Sequence, residues 1–289
     1  MLIKKIVVDK VEYTINKNTI FDMRFITPDI SEETVIEIPE ILDGNVITDI
    51  SRRYIELSYK DDRNKPSLTQ IRFKKLILPS SVSTVQPEAL SYLNCDELVW
   101  SENCYVIPKL CFFAAAVQKI HNIAHVHTIE ESAFENCMFL RTFRWPDECC
   151  IININTFLNC VALEEIHNSA HIQRIGYRSF MYCRSLKEFH WPSACEMIPD
   201  ACFCDCGKLK SVYNLQGVIS IADDAFANCS SLDELHFEKL QMISTNAFSN
   251  TSLKLNLSRT AIMDLNSKFF SKIGIAAESV ILPYFYDEN

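Results

Sequence analysis

A single period governs this chain. The phrases SAFENC, NTFLNC, RSFMYC, ACFCDC, DAFANC and NAFSNT place Phe134, Phe157, Phe180, Phe203, Phe226 and Phe248 at spacings of 23, 23, 23, 23 and 22 residues. Extending the register upstream by 22 reaches Phe112 and then Leu90. Five residues before each of these eight anchors stands an aliphatic residue: Val85, Ile107, Ile129, Ile152, Ile175, Ile198, Ile221 and Ile243. A unit this short cannot bury its apolar face alone, so the units must stack, and stacking buries one continuous core at any length. The 289 residues, more than one compact core usually supports, are therefore expected to form one repetitive array.

About twelve residues before each anchor the pattern changes to short apolar and polar alternation, as in Phe143-Arg144-Trp145, Ile166-His167-Asn168 and Phe189-His190-Trp191. That alternation is what a half-buried strand requires. Its last inward position runs Leu78, Trp100, Asn122, Trp145, Asn168, Trp191, Asn214, Phe237. Weaker copies occur at Val35-Ile36-Glu37-Ile38, Leu255-Asn256-Leu257 and Val280-Ile281-Leu282. Trp145-Pro146 and Trp191-Pro192 alternate with His121-Asn122 and His167-Asn168, which adds a super-repeat of 46 residues.

The thirteen cysteines fall onto this register. Cys137, Cys160, Cys183, Cys206 and Cys229 sit three after the anchor, where other repeats have Ala115 and Thr251. Cys104, Cys149 and Cys195 sit eight before it, and Cys111 and Cys202 one before it. In these columns Cys exchanges with Ala, Thr, Val and Ile, the behaviour of a small buried residue with a weak donor. Cys95, Cys150 and Cys204 are off register. Structural thiols are the preferred reading, ahead of metal affinity near Cys202–Cys206 and of native disulfides. Such a set suits a reducing compartment better than a secreted disulfide framework.

The consensus I-x-x-x-A-F-x-N-C-x-x-L-x-x-I, with proline closing strands at Leu78-Pro79, Trp145-Pro146 and Trp191-Pro192, resembles the BspA-like leucine-rich repeat family. The phrase VIEIPEILDGNVITDIS, Val35 to Ser51, is similar to that family's opening repeat. The resemblance implies an α/β-type repeat solenoid: a leucine-rich-repeat horseshoe, or right-handed superhelix, with a parallel β-sheet on its concave face. About eleven rungs of 22–23 residues are expected. Residues 1–30 would form an N-terminal cap and 31–289 the solenoid, with 56–70 an inserted loop and 269–289 a C-terminal cap. The resemblance also implies adhesion to host or matrix proteins.

The exposed strand positions are where chemistry would lie. The central column reads Glu37, Ile77, Val99, His121, Arg144, His167, His190, Tyr213, His236, and the column two residues earlier reads Lys119, Thr142, Glu165, Glu188, Ser211, Glu234. With parallel strands about 4.8 Å apart, this makes a ribbon of His, Arg and Tyr beside a ribbon of Glu. Arg and Tyr are favoured at binding hot spots, and histidine changes charge between about pH 5 and 8. His121, Arg144, Glu165, His167, Glu188, His190, Tyr213, Glu234 and His236 are therefore the candidate contacts for a protein or peptide partner. The plainer reading is that exposed strand positions simply need polar residues, with His–Glu neighbours mildly favourable. An alternative from another class is a metal-binding or enzymatic protein, with zinc at His167 and His190 and Glu165 or Glu188 completing the set. His125, His127 and His171 read as ordinary turn residues, and Trp145 and Trp191 as core.

Other functions have less support. A net charge of −9, with only Lys4-Lys5, Arg52-Arg53 and Lys74-Lys75 as basic runs, points away from nucleic acid. Five glycines and no G-x-G-x-x-G or P-loop argue against phosphate cradles. No G-x-S-x-G or H-E-x-x-H occurs, so neither an enzyme nor a cofactor is expected. The longest apolar run, Cys111 to Val117, is too short to cross a bilayer. No export signal is readable after Met1, so the expectation is a cytoplasmic monomer, with the cell surface as the alternative that the resemblance implies.

Overall fold

The computed structural model describes residues 4–26, 30–51, 71–256, 272 and 280–281. It divides into two compact units: Met1–Leu140 with Pro146–Glu148, and Arg141–Trp145 with Cys149–Asn289. The inserted loop expected at 56–70 lies outside the described residues, as does most of the C-terminal cap expected at 269–289.

The N-terminal unit opens with three antiparallel strands, Lys4–Val8, Val11–Asn16 and Thr19–Phe25. Asp9 and Lys17 take left-handed backbone angles in the two tight turns, as hairpins of this length need. Val11, Tyr13, Ile15, Ile20 and Phe25 are buried. The Phe25 ring meets Phe73 edge-on at 5.7 Å, so this sheet lies against the first rungs. Thr19 and Ile20 then pair in parallel with Asp49–Ile50, which pairs with Thr84–Val85. The strands of the opposite face, Val35–Glu37, Phe73–Ile77, Cys95–Val99 and Lys119–His121, make one continuous parallel sheet.

In the C-terminal unit the face strands are Thr142–Arg144, Glu165–His167, Glu188–His190, Ser211–Tyr213, Glu234–His236, Lys254–Asn256 and Val280–Ile281. Each of the first five rungs returns through a two-residue strand: Ile151–Ile152, Arg174–Ile175, Met197–Ile198, Ser220–Ile221 and Met242–Ile243. The anchors between them stack face to face. Centroids from Phe157 through Phe180, Phe203 and Phe226 to Phe248 are 5.7, 5.4, 5.4 and 5.5 Å apart, with rings within 12° of parallel. Phe112 and Phe134 repeat the arrangement in the N-terminal unit, at 5.3 Å and 3°. All seven are fully buried. Burying such a side chain is worth about 1.5–3 kcal/mol, so the spine contributes to cohesion at every one of these rungs, beside the buried Leu, Ile and Trp residues.

Each unit is thus a parallel-strand solenoid, as the period predicts. Two details differ from expectation. The return segments are strands and turns, and the one helical element with described bounds is a 3-10 turn, Leu215–Gly217. Complete turns carrying a face strand, a return strand and a Phe anchor are those of Phe112, Phe134, Phe157, Phe180, Phe203, Phe226 and Phe248. Those seven are fewer than the eleven expected, because the first rungs lack the Phe and the last lie largely outside the described residues.

The turn around each anchor explains the A-F-x-N-C phrase. Residues two before and two after the anchor sit in the left-handed region, as with Asn155 and Asn159 around Phe157 or Asp224 and Asn228 around Phe226. Asn and Asp tolerate that conformation better than other residues with a Cβ. The segment is held by overlapping turns, such as Cys160 N–H to the Phe157 carbonyl at 3.1 Å. It is also held by anchor-to-anchor bonds, such as Phe180 N–H to the Cys202 carbonyl at 3.0 Å. Rungs approach closely enough that Gly176 has no room for a side chain: a Cβ there would lie 2.5 Å from the Ile154 backbone nitrogen.

One inward assignment is corrected. Trp100, Trp145 and Trp191 are buried, with their indole N–H groups donating to the carbonyls of Cys104, Cys149 and Cys195 at 2.8, 2.6 and 2.8 Å. Asn122, Asn168 and Asn214 do not point inward. They take φ of 60°, 64° and 65°, Asn122 and Asn214 are exposed, and the buried place passes to Ile123, Ser169 and Leu215. The Asn122 and Asn168 amides donate instead to the carbonyls of Trp100 and Trp145, both at 2.9 Å.

Candidate functional site

Three-residue strands with one buried centre leave both flanking side chains in solvent. Phe143, Ile166, Phe189, Val212 and Leu235 are the buried centres of the C-terminal unit. Arg144, His167, His190, Tyr213 and His236 are exposed beside them, as are Thr142, Glu165, Glu188 and Glu234. His121 is exposed likewise on the N-terminal unit.

Several expected neighbours do meet. Arg144 pairs in register with His167, and His190 with Tyr213, whose rings lie 4.8 Å apart at 30°. His167 Nε2 is 3.3 Å from Glu165, His236 Nε2 is 3.4 Å from Glu234, and the Tyr213 hydroxyl donates to Glu188 at 3.5 Å. On the N-terminal unit His121 Nε2 lies 3.4 Å from Glu97, which also takes the Lys75 ammonium at 2.7 Å. Lys75, and after it His121, hold the Glu97 carboxyl below the usual range.

Other neighbours do not meet as a continuous ribbon would require. Strand Glu165–His167 is not ladder-paired with Glu188–His190, nor Ser211–Tyr213 with Glu234–His236. In rungs ending in Trp, the residue after the strand donates its backbone N–H to the next rung: Trp145 to His167 at 2.9 Å, Trp191 to Tyr213 at 3.0 Å. After Glu165–His167 that place holds the left-handed Asn168, and the His190 carbonyl accepts from the Ser169 hydroxyl instead, at 3.0 Å. The contact column is therefore built from pairs of strands. Among the described residues no group of three or more His, Cys, Asp or Glu is placed to hold a metal ion, so the zinc set of His167, His190 and a glutamate has no assembled site.

The cysteines lie behind this face. None of the thirteen is in a disulfide, and all but the half-buried Cys150 are buried. The thiols of Cys183, Cys206 and Cys229 donate to the carbonyls of Phe157, Phe180 and Phe203 at 3.2, 3.1 and 3.0 Å. That contact gives the third residue after the anchor a reason to be small and a weak donor. Thr251, in the same column, turns its hydroxyl to the Phe248 carbonyl of its own turn. Burial pushes Cys95 up to about 12 and Cys195 to about 11, leaving both as neutral thiols. Cys204, off register, lies beside Ala201, Ala227 and Met181, with its thiol 3.2 Å from Asp205; burial first, then Asp205, push it up to about 12.

Two arrangements escaped sequence reasoning. Tyr105 stacks on His127 at 5.1 Å and meets His125 edge-on at 5.5 Å, while His125 Nε2 lies 3.1 Å from the Ser101 carbonyl. The signal was available, since Tyr105 and His127 stand 22 residues apart and so share a column. The second is a column bordering the face strands, in which Glu164 binds Lys187 at 2.5 Å. Lys187, with smaller contributions from Arg141 and Lys208, holds the Glu164 carboxyl below its ordinary range.

The family model for the BspA type leucine-rich repeat region matches residues 68–164 and 151–275, with six copies. No curated protein matches. Among solved structures, the chain resembles a leucine-rich cell surface protein from Faecalibacterium prausnitzii A2-165, with a TM-score of 0.59 and 18% identity over 89% of this chain and 77% of that one. A leucine-rich repeat protein of T. pallidum matches at a TM-score of 0.43 and 16% identity, covering 88% and 94% of the two chains. The pneumococcal vaccine antigen PcpA matches at 0.47 and 13%, covering 88% and 81%.

Proposed function

Because the chain belongs to the BspA-type leucine-rich repeat family, we propose that it is a non-catalytic scaffold whose strand face holds a protein or peptide partner. The observation that carries this reading is the exposed column Arg144, His167, His190, Tyr213 and His236 standing on fully buried aromatic anchors. Exposed ion pairs contribute about 0–1 kcal/mol each, so the His–Glu contacts add little to stability beside the spine. A rigid array presenting Arg and Tyr at fixed spacing matches the way solenoids bind along one face.

Glu165, Glu188 and Glu234 would set the partner's orientation, and His121 would extend the contact on the N-terminal unit. The protein is read as a monomer that uses no cofactor and binds no nucleic acid. No described helix is long and apolar enough to cross a membrane. The F. prausnitzii neighbour is a cell surface protein by description, which supports a surface role. The buried cysteines, none of them in a disulfide, support a reducing compartment instead.

The test is a pull-down from cell extract and from matrix proteins, followed by titration of whatever is captured. Wild type is compared with His167→Ala/His190→Ala. Loss of the captured partner by the double variant, with the circular dichroism spectrum unchanged, is expected. Equal affinity of both proteins for the same partner sinks the strand-face assignment.

A further inference from the structure

On the C-terminal unit each carboxylate of the strand face is tied to a histidine. His167 Nε2 lies 3.3 Å from Glu165, and His236 Nε2 lies 3.4 Å from Glu234. Glu188 is reached through a neighbour: the Tyr213 hydroxyl donates to it at 3.5 Å, and the Tyr213 ring lies 4.8 Å from that of His190. Across the rungs, His167 is in register with Arg144, His190 with Tyr213 and His236 with the uncharged Asn256, while Lys254 is in register with Glu234. The bordering column of Arg141, Glu164, Lys187, Lys210 and Asp233, with Arg184 and Lys208 in the turns before it, carries charges of both signs. Lysine, arginine and carboxylate side chains keep their charge between pH 7.5 and 5.5, whereas histidine, ordinarily near about 6.5, changes over that interval. On these strands Glu165, Glu188 and Glu234 outnumber Arg144 and Lys254 by one when the three histidines are neutral. They are outnumbered by two when all three are protonated.

We infer that this face is a proton-operated switch, in which proton uptake by His167, His190 and His236 reverses its charge and with it the charge of the partner segment it prefers. The inference rests on the strand-face reading and adds its regulation. A neutral imidazole donating to Glu165 or Glu234 leaves the carboxylate's charge in place, whereas an imidazolium there forms an ion pair that cancels it. The three histidines and three glutamates are exposed, so protons reach them without a conformational change and a docked partner meets them directly. The direction of the response follows from linkage. A carboxylate set against an imidazolium favours its charged form, and a cation opposes it. A carboxylate-bearing segment therefore takes up protons on binding and is held more tightly as pH falls, while a lysine-bearing segment releases them and is held more tightly as pH rises.

The test is a fluorescence-anisotropy titration of the full chain with labelled oligoaspartate and labelled oligolysine, each at pH 7.5 and 5.5, with circular dichroism checking the fold of every variant at both values. From pH 7.5 to 5.5 wild type should bind oligoaspartate about tenfold or more tightly and oligolysine less tightly. His167→Gln/His190→Gln/His236→Gln should hold both ratios within about twofold, because Gln keeps a donor and takes no proton. His125→Gln/His127→Gln/His171→Gln, which alters the turn histidines instead, should keep the wild-type response. Arg144→Glu should weaken oligoaspartate at pH 5.5. A flat wild-type response, or no binding of either probe, overturns the switch and leaves the strand-face reading to the pull-down. A response that survives in the face variant, or is lost in the turn variant, also overturns it. Unchanged oligoaspartate affinity in Arg144→Glu puts the probe off this face and overturns the switch together with the strand-face reading.

Discussion

The face sheet of the N-terminal unit runs unbroken through four strands, whereas that of the C-terminal unit splits after its second and fourth strands. The difference follows from the residue that closes each strand. Ile38, Leu78 and Trp100 close the first three N-terminal strands, and each donates its backbone N–H to the next rung, at 3.1, 3.0 and 3.0 Å. Asn122 closes the last one. In the C-terminal unit closure alternates between Trp145, Asn168, Trp191 and Asn214, and the ladder stops after each Asn. A left-handed residue turns its N–H out of the ladder direction, so a single side-chain type sets where one strand pair ends. The stacked anchors continue through these breaks, although the return ladder itself stops between Arg174–Ile175 and Met197–Ile198.

The two units also differ in buried thiols, and that gives the largest expected effect. Burial raises Cys95, Cys104, Cys111 and Cys137 in the first unit, and Cys183, Cys195, Cys202, Cys204, Cys206 and Cys229 in the second. An unfolded thiol ionises near pH 9, so above that pH the unfolded state binds fewer protons than the folded one and stability falls as pH rises. Each thiol costs up to about 1.4 kcal/mol per pH unit between pH 9 and its folded value, which is about 11 for Cys195 and about 12 for Cys95. Hydrogen exchange at pH 8.5 and 10.5 should show the second unit losing more protection than the first. Equal loss in both would break the comparison.

Next in size is the spine. Phe180→Ala removes a ring stacked between Phe157 and Phe203, and urea unfolding should register a loss of about 3–5 kcal/mol. A loss below about 1 kcal/mol would mean that the cohesion lies elsewhere. The smallest change sharpens the ladder rule. Asn168→Ala should cost about 1–2 kcal/mol, since Ala disfavours the left-handed conformation and the bond to Trp145 is lost. Asn168→Gly, which keeps the conformation, should cost less. Equal losses, read from the same urea curves, would show that the side-chain bond alone sets the break.

Much of this was legible in the chain. The anchors, the buried aliphatic residues five before them and the exposed column could be read by counting, because a solenoid maps linear period onto spatial position. The cysteine columns were legible for the same reason. The Asn column was misread as inward because alternation alone cannot show that a residue has turned to positive φ. The pairing of Glu165 with His167 on its own strand, rather than with His190 on the next, was hidden because the broken ladder is a consequence of that turn.

By itself, then, the sequence determined the period, the spine and the exposed column between Arg144 and His236, since these follow from apolar spacing alone. Only the tertiary structure decided where the ladder breaks and which carboxylate each histidine meets. Those outcomes depend on backbone angles and on hydrogen bonds between rungs, which exist only once the rungs are stacked.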